Sequence, residues 1–296
     1  MQKKVSVIVN CHNGEKYLRK CIASILNQKY QNLELIFFDN YSSDNSKKII
    51  TNIKDNRIKY FFSNKKLSLY FARNEAVKVS SGEIIAFLDV DDWWDENYLS
   101  SRSNAFDDES YDYYYSNVSI FNEKYKKYRK YKKIFSTSRK IYNLLAKDYF
   151  IIISGLMIKK EVFNQVGYFN SNFNIIGDFD FMMKISKKFN AHSINDTLIF
   201  YRYHENNYSK LNTEMFFNEY NEWYKNQIKL KDQDFLNNID YFENKLLSLE
   251  IINLLINKNK NFYLFKKILK YPNFLKKIKY LILFLLPKIL INYLRK

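Results

Sequence analysis

Residues 85–93 read Ile85-Ala86-Phe87-Leu88-Asp89-Val90-Asp91-Asp92-Trp93, an apolar run that stops on three carboxylates. Strands of a parallel sheet are buried on both faces and so read as unbroken apolar runs. Ligands of open α/β sheets bind just beyond the carboxyl ends of such strands. Asp89, Asp91 and Asp92 therefore fall where a ligand belongs. Carboxylates crowded at one strand end repel one another unless something positive sits among them. A divalent cation carrying a diphosphate meets that need, because Mg2+ and Mn2+ take oxygen ligands and are held by one or two carboxylates plus phosphate oxygens. The plain alternative is a solvated acidic turn capping a helix that starts near Asp95.

Upstream of this run, strand and helix alternate. Val5–Val9 is a buried strand, Asn13-Gly14 a turn, and Tyr17, Leu18, Cys21, Ile22, Ile25 and Leu26 fall on one face of a helix. Leu33–Phe38 is the next strand, ending at Asp39-Asn40, and Ser42, Ser43 and Asp44 offer N-caps for a helix through Ile50. Ile58–Phe62 is a third strand. A helix covers Tyr70–Val79 and ends at Ser80-Ser81-Gly82, and Glu83–Leu88 delivers the aspartates. This order predicts an α/β fold, a Rossmann-like, mostly parallel sheet flanked by helices. Farther on, Tyr111–Phe121 is strand-like, Lys124–Lys133 a basic, aromatic exposed loop, and Tyr142–Phe150 helical. Ile151–Ile158 reads as a strand, Glu161–Val166 as a short helix, Phe179–Phe189 as a helix with Asp178 at its start, and Ser193–Arg202 as a late strand. From Thr213 onward the chain reads as a C-terminal α-helical extension.

With 296 residues the chain can hold one large domain, or one plus an appendage. Two cysteines, Cys11 and Cys21, make no disulfide framework and read as buried thiols. Met1–Lys4 runs straight into a strand, which predicts no signal peptide and a catalytic part facing the cytoplasm. No stretch reaches the length of a transmembrane helix. The net charge of +17 is local: nine basic and no acidic residues lie between Lys124 and Lys140, eleven and none between Lys258 and Lys296, and the remainder is close to neutral. A basic body built for nucleic acid is not what this distribution describes, and a membrane surface explains both tracts.

At several places the chain resembles family 2 glycosyltransferases, the nucleotide-sugar-dependent, mostly inverting enzymes of the type-A (GT-A) fold. Val5-Ser6-Val7-Ile8-Val9-Asn10-Cys11-His12-Asn13 looks like that family's opening V-S-V-I-V-P-x-Y-N. Leu35–Asp44, with Asp39-Asn40-Tyr41-Ser42, looks like I-V-V-D-D-G-S-x-D. Ala72-Arg73-Asn74 and then Ser81–Asp92 look like A-R-N followed by G-E-x-I-x-F-L-D-x-D-D, which carries the DXD motif. Gly167-Tyr168-Phe169 and Gly177-Asp178-Phe179-Asp180 look like G-x-F and E-D-x-D, and Tyr201-Arg202-Tyr203-His204 resembles a late Y-R-x-H. The likeness covers about residues 3 to 210, with five motifs in the family's order.

The resemblance implies a GT-A catalytic domain over residues 1–212, with a nucleotide-sugar-binding half at 1–100 and an acceptor-binding half at 101–212. Residues 213–296 form the helical basic extension. It implies Mn2+ or Mg2+ held by Asp89, Asp91, Asp92 and His204, with Asp92 the usual ligand and Asp91 also at the ribose. Asn10, His12, Asn13, Asp39, Asn40, Arg73 and Asp91 fall in the donor nucleotide site, with UDP favoured and guanosine or thymidine diphosphosugars left open. Asn40 stands where the family often has the Asp that reads uracil. His12 either stacks on the base or serves the turn beside Asn13-Gly14, and Arg73 either contacts the diphosphate, holds the aspartates or lies on the surface. Asp178 maps to the general base, against the alternative of a helix N-cap. Gly177 departs from the family's Glu, and Asp180 reads as a helix-start charge. His204 is a metal ligand or a hydrogen-bonded loop histidine, and Ser154-Gly155 falls where the family lines the acceptor pocket.

The implied acceptor is a glycan or lipid-linked carrier, as in cell-surface polysaccharide, lipopolysaccharide or lipid-linked glycan assembly. Phe262–Lys270 and Leu275–Leu294 mix lysines with large apolar residues around Pro272 and Pro287. Their apolar core is too short to span a bilayer but suits an anionic membrane surface. The expectation is peripheral attachment to the inner face of the cytoplasmic membrane, against a helical hairpin packed on the protein. Two rivals stand beside this reading. A nucleotidyltransferase calls for a Gly-rich basic loop after the first strand, which Asn10-Cys11-His12-Asn13-Gly14 is not. A non-catalytic nucleic-acid binder uses the tyrosine-rich basic tracts and leaves the aspartates unexplained, so no nucleic-acid partner is expected.

Overall fold

A computed structural model of the chain describes residues 2–131, 139–257 and 260–286. Parts of both basic tracts and Pro287 lie outside the described residues. The strands are β1 (Val5–Cys11), β2 (Leu33–Asp39), β3 (Ile58–Phe62), β4 (Ile84–Phe87), β5 (Trp93–Trp94), β6 (Tyr113–Ser116), β7 (Ser119–Asn122), β8 (Lys127–Lys130), β9 (Met157–Lys159), β10 (Ala191–Ile194) and β11 (Ile199–Tyr203). The helices are α1 (Glu15–Leu26), α2 (Ser46–Thr51), α3 (Leu69–Val79), α4 (Ser103–Phe106), α5 (Tyr142–Lys147), α6 (Lys160–Val166), α7 (Gly177–Lys188), α8 (Tyr208–Leu211), α9 (Thr213–Leu230), α10 (Gln233–Leu236), α11 (Ile239–Ile256), α12 (Phe262–Lys270) and α13 (Phe274–Leu285).

Seven strands form one sheet in the order β10-β6-β9-β4-β1-β2-β3. The β4-β1-β2-β3 part is parallel, as the alternation requires, and β9 runs antiparallel between β4 and β6. β1, β2 and β4 are almost wholly buried inside the sheet, while β3, half-buried, forms the edge. The apolar stripe of α1, Leu18, Cys21, Ile22 and Ile25, is buried in the same core as Val5, Val7, Leu35 and Phe37. On α3, Ser68 caps the first turn by accepting from the Phe71 N–H.

A second sheet of four strands, β5-β11-β7-β8, departs from the sequence reading. Trp93-Trp94, expected to lead into a helix, instead pairs antiparallel with Phe200 and Ile199. Bulky aromatics satisfy a half-buried pleated surface: Trp93 stacks on Phe200 with ring centroids 5.2 Å apart. The segment 193–202 is two strands, β10 in the large sheet and β11 in the small one. Asp196, between them, takes both guanidinium arms of buried Arg102 at 2.8 and 2.9 Å, which turns the chain from one sheet to the other. The segment 124–133 holds a strand, β8, whose four residues are all exposed on the sheet edge, and Lys126 turns the hairpin with φ +53°. The segment 151–158 breaks at a 3-10 turn, Ile153–Gly155, and only Met157–Lys159 is strand.

Asp44 stands one residue before the N-cap position of α2, which Asn45 occupies. Its carboxylate accepts from the Glu15 and Ser46 N–H groups, and Glu15 in turn accepts from Asn45, so the starts of α1 and α2 are latched to each other. The chain divides into two units, Met1–Leu145 with Tyr149–His204, and Glu205–Lys296 with Ala146–Asp148. The break after His204 falls earlier than the expected 212. Within the second unit, Trp223, Phe235 and Phe242 form one aromatic cluster, and Ile251, Leu255, Leu264, Ile268, Tyr271 and Tyr280 form another core.

At the amino-terminal side of the large sheet, Glu34 of β2 is buried and accepts from Ser6 Oγ at 2.5 Å, Ser81 N at 2.6 Å and Lys59 Nζ at 2.6 Å. Burial alone would push its carboxyl up; the bonds from Lys59, Ser6 and Ser81 outweigh it and hold the group well below the usual range. Removing one member of a buried, bonded charge set costs about 3–5 kcal/mol. Glu34→Ala is accordingly expected to lower the unfolding free energy by about 3 kcal/mol in urea. Glu96→Ala, which breaks the exposed pair with Lys29, is expected to change it by less than about 1 kcal/mol. Equal effects would show that the Glu34 cluster contributes no more than a surface pair.

Candidate active site

Beyond Phe87 the chain leaves β4 and sets Asp89, Asp91 and Asp92 so that one carboxylate oxygen of each lies within 4.8 Å of the others. Gly14, at the start of α1, packs against this loop, and a Cβ there would come within 2.8 Å of a Val90 methyl. Each aspartate has its own support. Asp92 is buried, with Oδ1 accepting from the Arg202 N–H at 2.7 Å and Oδ2 from Ser154 Oγ at 2.5 Å. Burial and the neighbouring Asp91 and Asp89 charges push its carboxyl well above the ordinary value despite those two bonds. Asp89 binds the guanidinium of Arg73. Burial pushes Asp89 up, Arg73 opposes, and Asp91 adds to the rise. Asp91 Oδ2 lies 2.9 Å from His204 Nε2, and its carbonyl accepts from Arg202 Nε at 2.8 Å. Three converging oxygen-donor side chains form a donor set suited to a hard divalent cation.

The structure gives several residues tasks finer than the sequence specifies. His204 reaches the cluster through Asp91 and is not itself among the three converging side chains. Its ring lies 5.1 Å from Tyr17. Ser154 is fully buried beneath the aspartates, donating to Asp92 and accepting from the Asp89 N–H at 3.2 Å, so it braces the motif rather than facing an acceptor. Gly155 is equally enclosed, since a Cβ there would stand 2.6 Å from Ile199. Arg73 is buried and holds the cluster. Arg202, which sequence reading left without a role, has its guanidinium over the Tyr17 and Trp93 rings at 4.7 Å each. Its place in Y-R-Y-H was the signal available.

At the ends of β1 and β2 the nucleotide-site candidates are joined by their own bonds. Asn40 N donates to the Cys11 carbonyl at 2.7 Å, and the Asn40 carbonyl pairs with His12 Nδ1 at 3.0 Å. The Asn40 amide binds both backbone groups of Leu67, at 2.9 and 3.0 Å, and fixes the loop after β3. Asp39 is buried and accepts from the Ser42 N–H and the Tyr60 hydroxyl. Tyr41, at the glycine of the family pattern, sits at φ +64°, a left-handed conformation a tyrosine adopts only under constraint, and is half exposed. Asn13, at φ +57°, accepts from Ser43 N. Asn10 differs from all of these: both polar atoms of its amide are buried with no partner among the described residues. Buried amides are nearly always bonded, so these two atoms stand apart from the rest of the strand ends.

Asp178 lies in the first turn of α7, with Ile176 at the cap position, so the N-cap alternative is not what the structure shows. Its Oδ1 accepts from the Phe179 N–H at 2.9 Å and lies 2.9 Å from the Tyr70 hydroxyl. Burial pushes its carboxyl up, with Arg73 and Tyr70 opposing. Arg73, 5.2 Å from the Tyr70 ring, thus stands between Asp89 and Asp178. Asp180 pairs with Lys184 one turn on, as a helix-start charge does. A Cβ at position 177 would meet the Tyr70 ring at 2.4 Å, which explains why the family's Glu is absent. Tyr70 was invisible to sequence reading because nothing in its spacing ties it to residue 178.

The model of the family described as Glycosyl transferase family 2 matches residues 6–167. A UDP-Glc:alpha-D-GlcNAc-diphosphoundecaprenol beta-1,3-glucosyltransferase of Escherichia coli, WfgD, is 36% identical over 118 residues, 40% of this chain and 47% of that protein. The chain thus spans about half the length of such curated relatives. Among solved structures, S. aureus TarS 1-349 in complex with UDP matches with TM-score 0.57 and 18% identity over 89% of this chain and 87% of that one. The mannosyltransferase PcManGT from Pyrobaculum calidifontis, in complex with GDP-Man and Mn2+, matches with TM-score 0.60 and 14% identity over 84% and 72%. These likenesses show a shared GT-A fold.

The raised aspartates set a pH dependence. Asp89, Asp92 and Asp178 hold their protons to higher pH folded than unfolded. Stability therefore falls as pH rises from the ordinary carboxylate range, roughly 4, through their folded values. In chelator-treated protein the melting temperature is expected to drop as pH rises above the ordinary carboxylate range, about 4. Asp92→Asn, which retains an acceptor for Arg202 N, is expected to melt higher than wild type at pH 7 and to flatten that slope. A variant less stable than wild type at pH 7 would show that Asp92 is not under electrostatic strain.

Proposed function

The chain belongs to glycosyl transferase family 2, and on that premise we propose that it moves a sugar from a nucleotide-diphosphate donor to an acceptor hydroxyl with inversion at the anomeric carbon. The observation that carries this reading is the convergence of three carboxylates at the end of β4, linked through Arg73 to a fourth, Asp178. The donor nucleotide lies against the ends of β1 and β2, where Asn10 holds an amide without a protein partner. Asn40 keeps a second lone pair on Oδ1 for the N3–H of uracil, which favours UDP. WfgD is a UDP-Glc-dependent enzyme, and the TarS structure is a complex with the same nucleotide, UDP.

Transfer breaks the bond between the anomeric carbon and the diphosphate oxygen, and the electron pair leaves with the nucleoside diphosphate. A divalent cation held by Asp89, Asp91 and Asp92, Mn2+ or Mg2+, would neutralise the charge that grows on that leaving group. His204 and Arg202 orient Asp91, and Ser154 and Arg202 N orient Asp92. Asp178 takes the proton of the acceptor hydroxyl as its oxygen bonds to the anomeric carbon. A buried carboxylate with a raised pKa is a stronger base than one in water and is matched to this task.

The proposed acceptor is a lipid-linked glycan, as alpha-D-GlcNAc-diphosphoundecaprenol is for WfgD. None of the helices among the described residues is long and apolar enough to cross a membrane. In the second unit, α12 and α13 expose Phe262, Leu269, Phe274, Leu275, Ile282 and Leu285 beside Lys266, Lys270, Lys276 and Lys279. Apolar side chains flanked by lysines suit the headgroup region of an anionic leaflet, and peripheral attachment to the inner face of the cytoplasmic membrane follows.

Two experiments test this. In thermal-shift titrations with UDP, GDP and dTDP, each with and without Mn2+, one nucleotide is expected to stabilise the wild type only with the cation, and Asp92→Ala to lose the shift. Asp178→Asn is expected to keep the shift and to lower the rate of UDP release from UDP-glucose at least about a hundredfold. No shift with any nucleotide in a cooperatively melting protein would overturn the donor site and favour a binding module. For the tail, co-sedimentation is expected with phosphatidylglycerol vesicles and not with phosphatidylcholine ones. It is expected to weaken on Lys276→Glu combined with Lys279→Glu; binding indifferent to both changes would remove the membrane role.

A further inference from the structure

Tyr70 opens α3 and is buried at 2% exposure, yet it carries a hydroxyl where a phenylalanine would pack with less desolvation. That hydroxyl lies 2.9 Å from Asp178 Oδ1 and 3.0 Å from the Ile175 carbonyl. It has one proton, and the carboxylate is the stronger acceptor. The ring itself is clamped. It lies flat on the backbone of Gly177, where an added Cβ would meet three of its carbons at 2.4 to 2.6 Å. On other sides it meets the Phe169 ring at 5.6 Å and the Arg73 guanidinium at 5.2 Å. A glycine immediately before the base is thus what lets the ring approach, and the ring fixes where its oxygen points.

We propose that Tyr70 is the positioning residue of the base: its hydroxyl pins Oδ1 of Asp178, and Oδ2 is thereby left to take the acceptor proton. This rests on Asp178 being the base. Both hydrogen bonds from other residues, those of Tyr70 and the Phe179 N–H, fall on Oδ1, and among the described residues Oδ2 accepts no side-chain bond. With Oδ1 fixed from two directions the carboxylate cannot rotate, so Oδ2 has one orientation. Burial pushes the Tyr70 phenol well above its ordinary value, which keeps it a neutral donor throughout the working range. The other charged and titratable groups facing Asp178 are Arg73 of α3, Asp89 beyond β4, and Tyr149 before the 3-10 turn.

Tyr70→Phe keeps the ring on Gly177 and deletes the oxygen. The carboxylate then loses a donor that favours its charged form, so its pKa rises. The expected kinetic result with UDP-glucose is kcat lower by about tenfold or more. KM should stay within about twofold, and the acidic limb of the rate profile should move up by roughly one unit. An arm without substrate uses carbon-13 NMR of protein labelled at the aspartate carboxyls, with the Asp178 signal identified by its loss in Asp178→Asn. Its titration is expected to move up in Tyr70→Phe by the same amount. Should that variant not fold, Gly177→Ala displaces the ring without touching either polar group and is expected to move the titration in the same direction. An Asp178 titration unchanged in the folded variant overturns the proposal. UDP release at the wild-type rate in Asp178→Asn, with the titration still dependent on Tyr70, overturns the base assignment and with it the catalytic meaning of the pair.

Discussion

Everything at this site depends on one buried carboxylate. Asp92 sits past the end of the parallel sheet with one oxygen on the β11 backbone and the other on Ser154. Burying an ionised carboxylate costs several kcal/mol unless bonds and counter-charge offset it. Here two hydrogen bonds offset part of that cost, and the crowding of Asp89 and Asp91 adds to it. The same two bonds join the large sheet to the small one, since Ser154 follows α5 toward β9 and Arg202 belongs to β11. The group that would hold a cation is therefore also a fastener between the two sheets, and a bound cation would relieve the electrostatic strain it carries.

A second line of contacts runs from Asp89 to Arg73, across the Tyr70 ring, and on to Asp178. Arg73 and Tyr70 are three residues apart on α3, which puts them on one helix face. One short helix thereby touches both Asp89 and Asp178. Such a spacer sets the separation of two functional groups through packing, which tolerates little displacement. Gly177 contributes by absence: its missing side chain is the space the Tyr70 ring occupies.

Much of the first hundred residues was legible. The strands β1 and β2 are mostly apolar, and α1 shows a 3.6-residue stripe, because both are buried in the same core and local pattern reports that burial. Most of the elements that reading missed share a reason. Trp93-Trp94 is a strand only because β11 supplies a partner from a distant part of the chain, whereas Lys127–Lys130 pairs with its hairpin neighbour β7 and has four exposed residues that carry no apolar alternation. The break of residues 193–202 into two strands is set by Asp196 meeting Arg102, 94 residues away. The fold of 151–158 is set by Ser154 being drawn under Asp92. Pairings at long sequence separation leave no local periodicity to read.

The sequence by itself determined the α/β class, the place of the aspartates at the end of a buried strand, and the concentration of positive charge in two tracts. These follow from burial pattern and residue count, which are local or additive. Only the tertiary structure decided that Ser154 bonds Asp92 from below, that His204 meets Asp91, that Arg73 pairs with Asp89, and that Tyr70 reaches Asp178. Each of those is a hydrogen bond or ion pair between separate elements. Its length depends on how helices and strands pack, and packing is a property of the whole folded chain.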